Sequence, residues 1–125
     1  MDINELTEKI IGICIKIHQI LGPGLFESIY EEALCYELSR AGLKFERQKP
    51  IPVYYENVKL GIGFNADVVV ENRVIVELKS VENVSAVNKK QLLTYLKLTE
   101  LKLGLLINFN VKVLIDGITR IANNL

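Results

Sequence analysis

Phe64-Asn65-Ala66-Asp67-Val68-Val69-Val70-Glu71-Asn72-Arg73-Val74-Ile75-Val76-Glu77-Leu78-Lys79 is the stretch that decides the fold. Two runs rich in β-branched residues, Phe64–Val70 and Val74–Val81, flank the polar break Glu71-Asn72-Arg73. Branched side chains pack well on a pleated surface, so both runs read as strands. The unbroken Val74–Val76 fits a central strand covered on both faces. A three-residue connection sets Val70 opposite Val74 and therefore Asp67 opposite Glu77, with Cβ atoms about 4.5–5.5 Å apart. Residues two apart share a strand face, so Glu77 and Lys79 point the same way. Leu78 points to the other face and leaves its carbonyl near the same edge.

Upstream, Ile3, Leu6, Ile10, Ile13, Ile17 and Ile20 recur at spacings of three and four, which predicts a largely buried helix over residues 3–21. Gly22-Pro23-Gly24 ends it, because proline has no amide donor and glycine tolerates positive φ. A second helix is expected over residues 25–41, with Phe26, Ile29, Tyr30, Leu34 and Leu38 inward and Gly42 as its cap. Phe45 to Tyr55 is extended, and Pro50 and Pro52 suggest an edge strand or a bulge. Glu56-Asn57 turns into a short strand at Val58–Gly61.

Downstream, residues 85–100 read as a helix capped by Ser85 or Asn83, with Val87, Leu92, Leu93, Leu96 and Leu98 as apolar surface. Lys102–Phe109 reads as a buried strand, and Val111–Ile121 as a further pair of short strands around Asp116-Gly117. The order implies one domain over residues 1–125, an α/β (α+β layered) architecture with a mixed central sheet flanked by helices.

Composition excludes several classes. With 125 residues and 50% hydrophobic content, the chain can build one sizeable core. A charged fraction of 24% is unlike disorder or low complexity. Fifteen basic residues balance fifteen acidic ones, so net charge is silent about partners. Acids predominate over residues 1–42 and bases over 86–125, which suits either solvated helix faces or a basic flank beside an acidic pocket. Cys14 and Cys35 are too few for a disulfide framework and read as buried free thiols. No apolar run reaches the roughly 18 residues of a membrane helix, and the start is acidic, unlike a secretory signal. The expectation is a soluble, cytoplasmic protein.

The chemistry lies in polar residues set inside apolar runs. Asp67 and Glu77, opposed in a low-dielectric setting, repel each other and call for a cation or a shared proton. Carboxylate, carbonyl and water ligands favour Mg²⁺ or Mn²⁺. His18 and the two cysteines cannot make a zinc site of the usual spacing, and His18 reads as a packed or capping residue. A metal here would activate water for phosphodiester hydrolysis, with Lys79 orienting the water or stabilising negative charge. Taken alone, the same residues also fit a structural ion cluster with Arg73.

Asp67 followed at the tenth position by Glu77-Leu78-Lys79 resembles the signature of the PD-(D/E)XK nuclease superfamily, and the element order resembles its restriction-endonuclease-like core. Gly24-Leu25-Phe26-Glu27-Ser28-Ile29-Tyr30 is a G-x-x-E-x-x-Y motif, and its surroundings resemble the opening of the GxxExxY protein family. Gln91-Leu92-Leu93-Thr94-Tyr95-Leu96 and Gly104–Phe109 are similar to later blocks of that family. The resemblance implies that Asp67, Glu77 and the Leu78 carbonyl bind metal, with Glu27 as the acid supplied by a helix. It implies a catalytic role for Lys79, and for Gln91 and Tyr95 as a Q-x-x-x-Y pair. Ala66 stands where the superfamily's proline is expected.

Read from the residues alone, Glu27 also suits a helix N-terminus, Tyr30 a core aromatic with a surface hydroxyl, and Gln91 a helix surface. The leading expectation is a Mg²⁺- or Mn²⁺-dependent nuclease acting on DNA or RNA, with Lys89, Lys90, Lys97 and Lys102 for phosphate contacts. The alternative is a non-catalytic protein of the same fold, an oligomerisation or nucleic-acid-binding module, with a homo-oligomer as one outcome.

Overall fold

A computed structural model describes residues 1–125. Helix α1, Ile3–Leu21, starts where Asp2 caps it: Oδ1 accepts the Glu5 amide at 2.8 Å. That cap satisfies one of the amides a helix start leaves free. Leu6, Ile10, Cys14 and Ile17 form its buried stripe, whereas Ile20, expected inward, is 70% exposed. Helix α2 spans Glu27–Arg40, and Gly42 follows with φ 72°.

Strand β1, Phe45–Ile51, is an edge strand, as its prolines suggest. It stops before Pro52, so Tyr54–Tyr55 (β2) pairs instead with Val58–Lys59 (β3) in a separate hairpin. Glu56 and Asn57 turn this hairpin with φ of 49° and 66°, and Tyr54, Tyr55 and Val58 stay exposed. Strands β4, Phe64–Val70, and β5, Val74–Lys79, form the expected hairpin with Val70 paired to Val74. Its turn holds because Glu71 and Asn72 both take positive φ and the Arg73 amide donates to the Val70 carbonyl at 3.0 Å.

Helix α3, Ala86–Thr99, opens with a capping box between Ser85 and Asn88. It buries Leu92 and Leu96, but Val87 and Leu98 face solvent, because a single sheet face offers room for only a narrow stripe. Strand β6, Leu103–Asn108, is buried along its length. Residues 111–121 do not make two strands. Leu114–Gly117 is a 3-10 turn that tucks Leu114 into the core, and only β7, Ile118–Ala122, is extended.

The five-stranded sheet has the order β1-β4-β5-β6-β7, antiparallel except for β5 and β6. The parallel pair needs a crossover, which α3 supplies. This mixed sheet flanked by helices is consistent with a restriction-endonuclease-like core. No helix is long and apolar enough to cross a membrane. One sheet face packs Val68, Val70, Val76 and Leu78 against α1 and α2; the other packs Ala66, Val69 and Ile75 against α3.

The side chains of β4 and β1 depart from simple alternation. Phe64 and Ala66 lie on the α3 side, but Val68 and Val70 lie on the other, although all four share one parity. The strand therefore changes phase at Asp67. Strand β1 does the same, with Phe45 on the α1/α2 side and Ile51 on the α3 side. Its register against β4 is unchanged, but the pair Gln48–Asp67 is missing between Arg47–Val68 and Lys49–Ala66.

Candidate active site

Asp67 and Glu77 meet where β4 and β5 part. The ladder ends at Val68–Val76, and the next position in that register opposes the two acids. There each carboxylate takes an amide of the opposite strand. Asp67 Oδ2 accepts the Leu78 amide at 2.9 Å, and Glu77 Oε1 accepts the Asp67 amide at 3.2 Å. Side-chain oxygens thus stand in for backbone acceptors at the opening. The amide and carbonyl of one strand residue point toward the same neighbour, so the Leu78 carbonyl faces this gap too. The Lys79 carbonyl points the other way and accepts the Phe109 amide at 2.9 Å. Glu77 and Lys79 are both half-buried, while Leu78 between them is in the opposite core.

The electrostatics are those of an acid pair short of positive charge. Burial first, and the Asp67 charge second, push the Glu77 carboxyl from its ordinary 4.5 up to about 8. Lys79 pulls in the other direction but does not offset them. Tyr95 approaches from α3. Burial and then the charges of Glu77 and Asp67 raise its phenol pKa, and its ring stacks on Phe64 with centroids 3.7 Å apart. Gln91, one turn earlier on the same helix, is exposed.

Glu27 comes from the other helical layer and does not join the acid pair. Its Oε2 accepts the Ser80 amide at 3.2 Å, one residue beyond Lys79. No three His, Cys, Asp or Glu side chains are disposed around one metal position, so the expected cluster of Asp67, Glu77 and Glu27 is not formed. The reason lies in the G-x-x-E-x-x-Y loop. The Tyr30 hydroxyl donates to the Gly22 carbonyl at 2.6 Å and accepts the Leu25 amide at 3.1 Å, while Gly24 takes φ 91°. Ser80 Oγ donates to the Leu25 carbonyl at 2.6 Å. The motif clamps the loop to the end of β5, and this clamp sets where Glu27 arrives. The Tyr30 hydroxyl, expected at the surface, is inside: Tyr30 is fully buried and stacks on Phe109 at 4.2 Å. An open cleft of about 590 Å³ lies on Glu27's side, between Gly24–Ser28, Ser80 and Asn110; Asp67 and Glu77 are not in its walls.

These distances and this order of elements meet a matching sequence profile. The profile described as PD-(D/E)XK nuclease superfamily matches residues 4–121. The chain belongs to the PD-(D/E)XK nuclease superfamily. No curated protein and no solved structure matched it. Superfamily members typically use divalent metals, and the donor set here suits one. Two carboxylates and a carbonyl, all oxygen, fit Mg²⁺ or Mn²⁺, which bind through one or two carboxylates and retain several waters. Burial and the neighbouring Asp67 favour a proton on Glu77, a place that a bound cation would take instead.

Outside the site, His18 is buried with Nε2 2.8 Å from the Val111 carbonyl, a packed histidine. Cys14 and Cys35 are buried free thiols, and burial pushes Cys14 up to about 12. Sequence reasoning missed Gln48. Its Nε2 donates to Glu31 Oε1 at 2.6 Å and to Asp67 Oδ1 at 3.3 Å. No local pattern marks it, because its partners lie 17 and 19 residues away.

Proposed function

We propose that this protein hydrolyses phosphodiester bonds in nucleic acid with Mg²⁺ or Mn²⁺. The observation that carries the reading is the opposed pair Asp67 and Glu77 at a strand opening, with Lys79 on the face of Glu77. Asp67, Glu77 and the Leu78 carbonyl would hold the metal, which supplies Lewis-acid polarisation of the phosphoryl group and an acidified water. Lys79 stabilises negative charge developing on the phosphate and holds the attacking water. Glu27, anchored at Ser80, acts at one remove, on a water at the cleft side. Tyr95 and Gln91 orient substrate from α3, whose exposed Lys89, Lys90 and Lys97 give the phosphate backbone a path, extended by Lys102. The G-x-x-E-x-x-Y loop and the later blocks support a place in the GxxExxY family, and a cytoplasmic setting suits the two free thiols.

A second reading has its own observation. Glu27 is engaged by a backbone amide rather than by the acid pair, and the β2–β3 hairpin exposes Tyr54, Tyr55 and Val58. A non-catalytic module that self-associates or binds nucleic acid would have such features. Incubation with single- and double-stranded DNA and RNA, with Mg²⁺, Mn²⁺ or chelator, separates the two. The nuclease reading expects metal-dependent cleavage that is lost in Lys79→Ala, with the Mn²⁺-induced thermal shift retained. Lys79→Arg should not rescue, since a planar fork does not replace a compact charge. Asp67→Ala should lose both cleavage and thermal shift. Absence of metal-dependent cleavage on every substrate, or cleavage unchanged in Lys79→Ala, favours the module.

A further inference from the structure

Gln48 occupies the one interrupted position of the β1–β4 ladder, opposite Asp67. Its φ is 49°, a left-handed conformation inside a strand. The other non-glycine residues at positive φ lie in turns, at a helix end or in the C-terminal tail, where the chain has room to take it; Gln48 alone takes it inside a strand, where the left-handed region breaks the ladder. Both β1 and β4 change phase at this point. The kink therefore belongs to the pair of strands, and Asp67 is at its centre.

The side chain explains why a glutamine is there. Its amide nitrogen carries two hydrogens, and both partners, Glu31 Oε1 and Asp67 Oδ1, are carboxylate acceptors. Glu31 is only 7% exposed and is itself held: the Arg47 Nε donates to its other oxygen at 2.7 Å. A braced chain runs from Arg47 through Glu31 and Gln48 to Asp67. With Leu78 N–H on Oδ2 and Gln48 N–H on Oδ1, the Asp67 carboxylate is held from both sides. A carboxylate so held keeps its remaining lone pairs directed at one place.

We infer that Gln48 is a positioning residue of the site: its amide, braced by Glu31 and Arg47, fixes the rotation of the Asp67 carboxylate, and its left-handed backbone lets the two strands turn there. The consequence for metal rests on the proposed role of Asp67; the positioning of Asp67 does not.

The test uses Gln48→Gly, which removes the amide and relaxes the backbone, and Gln48→Asn, which tolerates the left-handed conformation but shortens the reach. Two readouts are followed, Mn²⁺ affinity by calorimetry and hydrogen exchange of the Leu78 amide, which donates to Asp67, in metal-free protein. Both variants should remain cooperatively folded without metal, with any fall in thermal midpoint limited to the lost hydrogen bonds to Glu31 and Asp67. Each should bind Mn²⁺ about 10–100-fold more weakly, the usual cost of losing a group that orients a ligand. The Leu78 amide should exchange on the order of 10-fold faster in the variants, with Val76 unchanged. Leu78 exchange unchanged, or Mn²⁺ affinity within about twofold of wild type against that expectation, overturns the inference. If the wild-type protein binds no Mn²⁺, the metal reading fails by itself, and Leu78 exchange still decides whether Gln48 holds Asp67.

Discussion

Raising the pH from about 5 to about 9 in the presence of a chelator should lower the stability of the folded protein, and Glu77 is the reason. In the unfolded chain this carboxyl titrates near its ordinary 4.5; in the folded chain burial and the adjacent Asp67 hold it at about 8. Between those values the native state binds a proton that the unfolded state has released. Stability is therefore fully present below about 4.5 and is lost as pH rises through about 8. The two values differ by roughly three and a half decades of proton activity at about 1.36 kcal/mol each, giving ~3–5 kcal/mol across the window. With a urea slope of ~1–3 kcal/mol per molar, that is a midpoint change of roughly 2 M. Glu77→Gln isolates the effect. The amide oxygen still accepts the Asp67 amide, and its N–H₂ can donate toward the Asp67 carboxylate without ionising. Urea unfolding across the range should show the variant matching wild type near pH 5 and exceeding it by ~3–5 kcal/mol near pH 9. Mn²⁺ should abolish most of the wild-type decline, since a cation favours the ionised acid. Parallel profiles for wild type and Glu77→Gln would refute the reasoning, because the pair would then carry no folding-linked proton.

Two further outcomes follow from the packing. Tyr30→Phe keeps the ring stack on Phe109 but orphans the Gly22 carbonyl and the Leu25 amide, and it should cost ~1–3 kcal/mol in urea unfolding. An unchanged midpoint would mean that the motif's tyrosine serves only as core volume. Gly117→Ala would drive a Cβ into the Asn108 carbonyl and crowd the Val111 side chain; a loss of ~1–3 kcal/mol is expected, and a fully stable variant would show that the 3-10 turn yields.

Local pattern carried most of the fold. The spacing of Leu6, Ile10 and Ile17, the cap at Ser85, and the three-residue turn at Glu71–Arg73 are short-range features whose physics is complete within a few residues. The turn length set the register of Val68–Val70 against Val74–Val76, which brings Asp67 and Glu77 to facing positions just beyond the last ladder pair. Residues 111–117 escaped because their turn depends on a close approach between Gly117 and Asn108.

The site divides along the same line. Asp67, Glu77 and Lys79 were legible because polar residues inside apolar strands need a reason to be there. What only the tertiary structure decided is how those residues are aimed. Period-two alternation assumes an unbroken strand, and it fails at Asp67, where the partner Gln48 adopts φ 49° and both strands change phase. Glu27 was placed at the start of the second helix by its motif, but its contact with Ser80 spans 53 residues and depends on the Tyr30 clamp. Sequence determines which chemical groups arrive at the sheet opening; contacts between distant segments determine their orientation, because backbone strain and side-chain hydrogen bonds exist only once those segments meet.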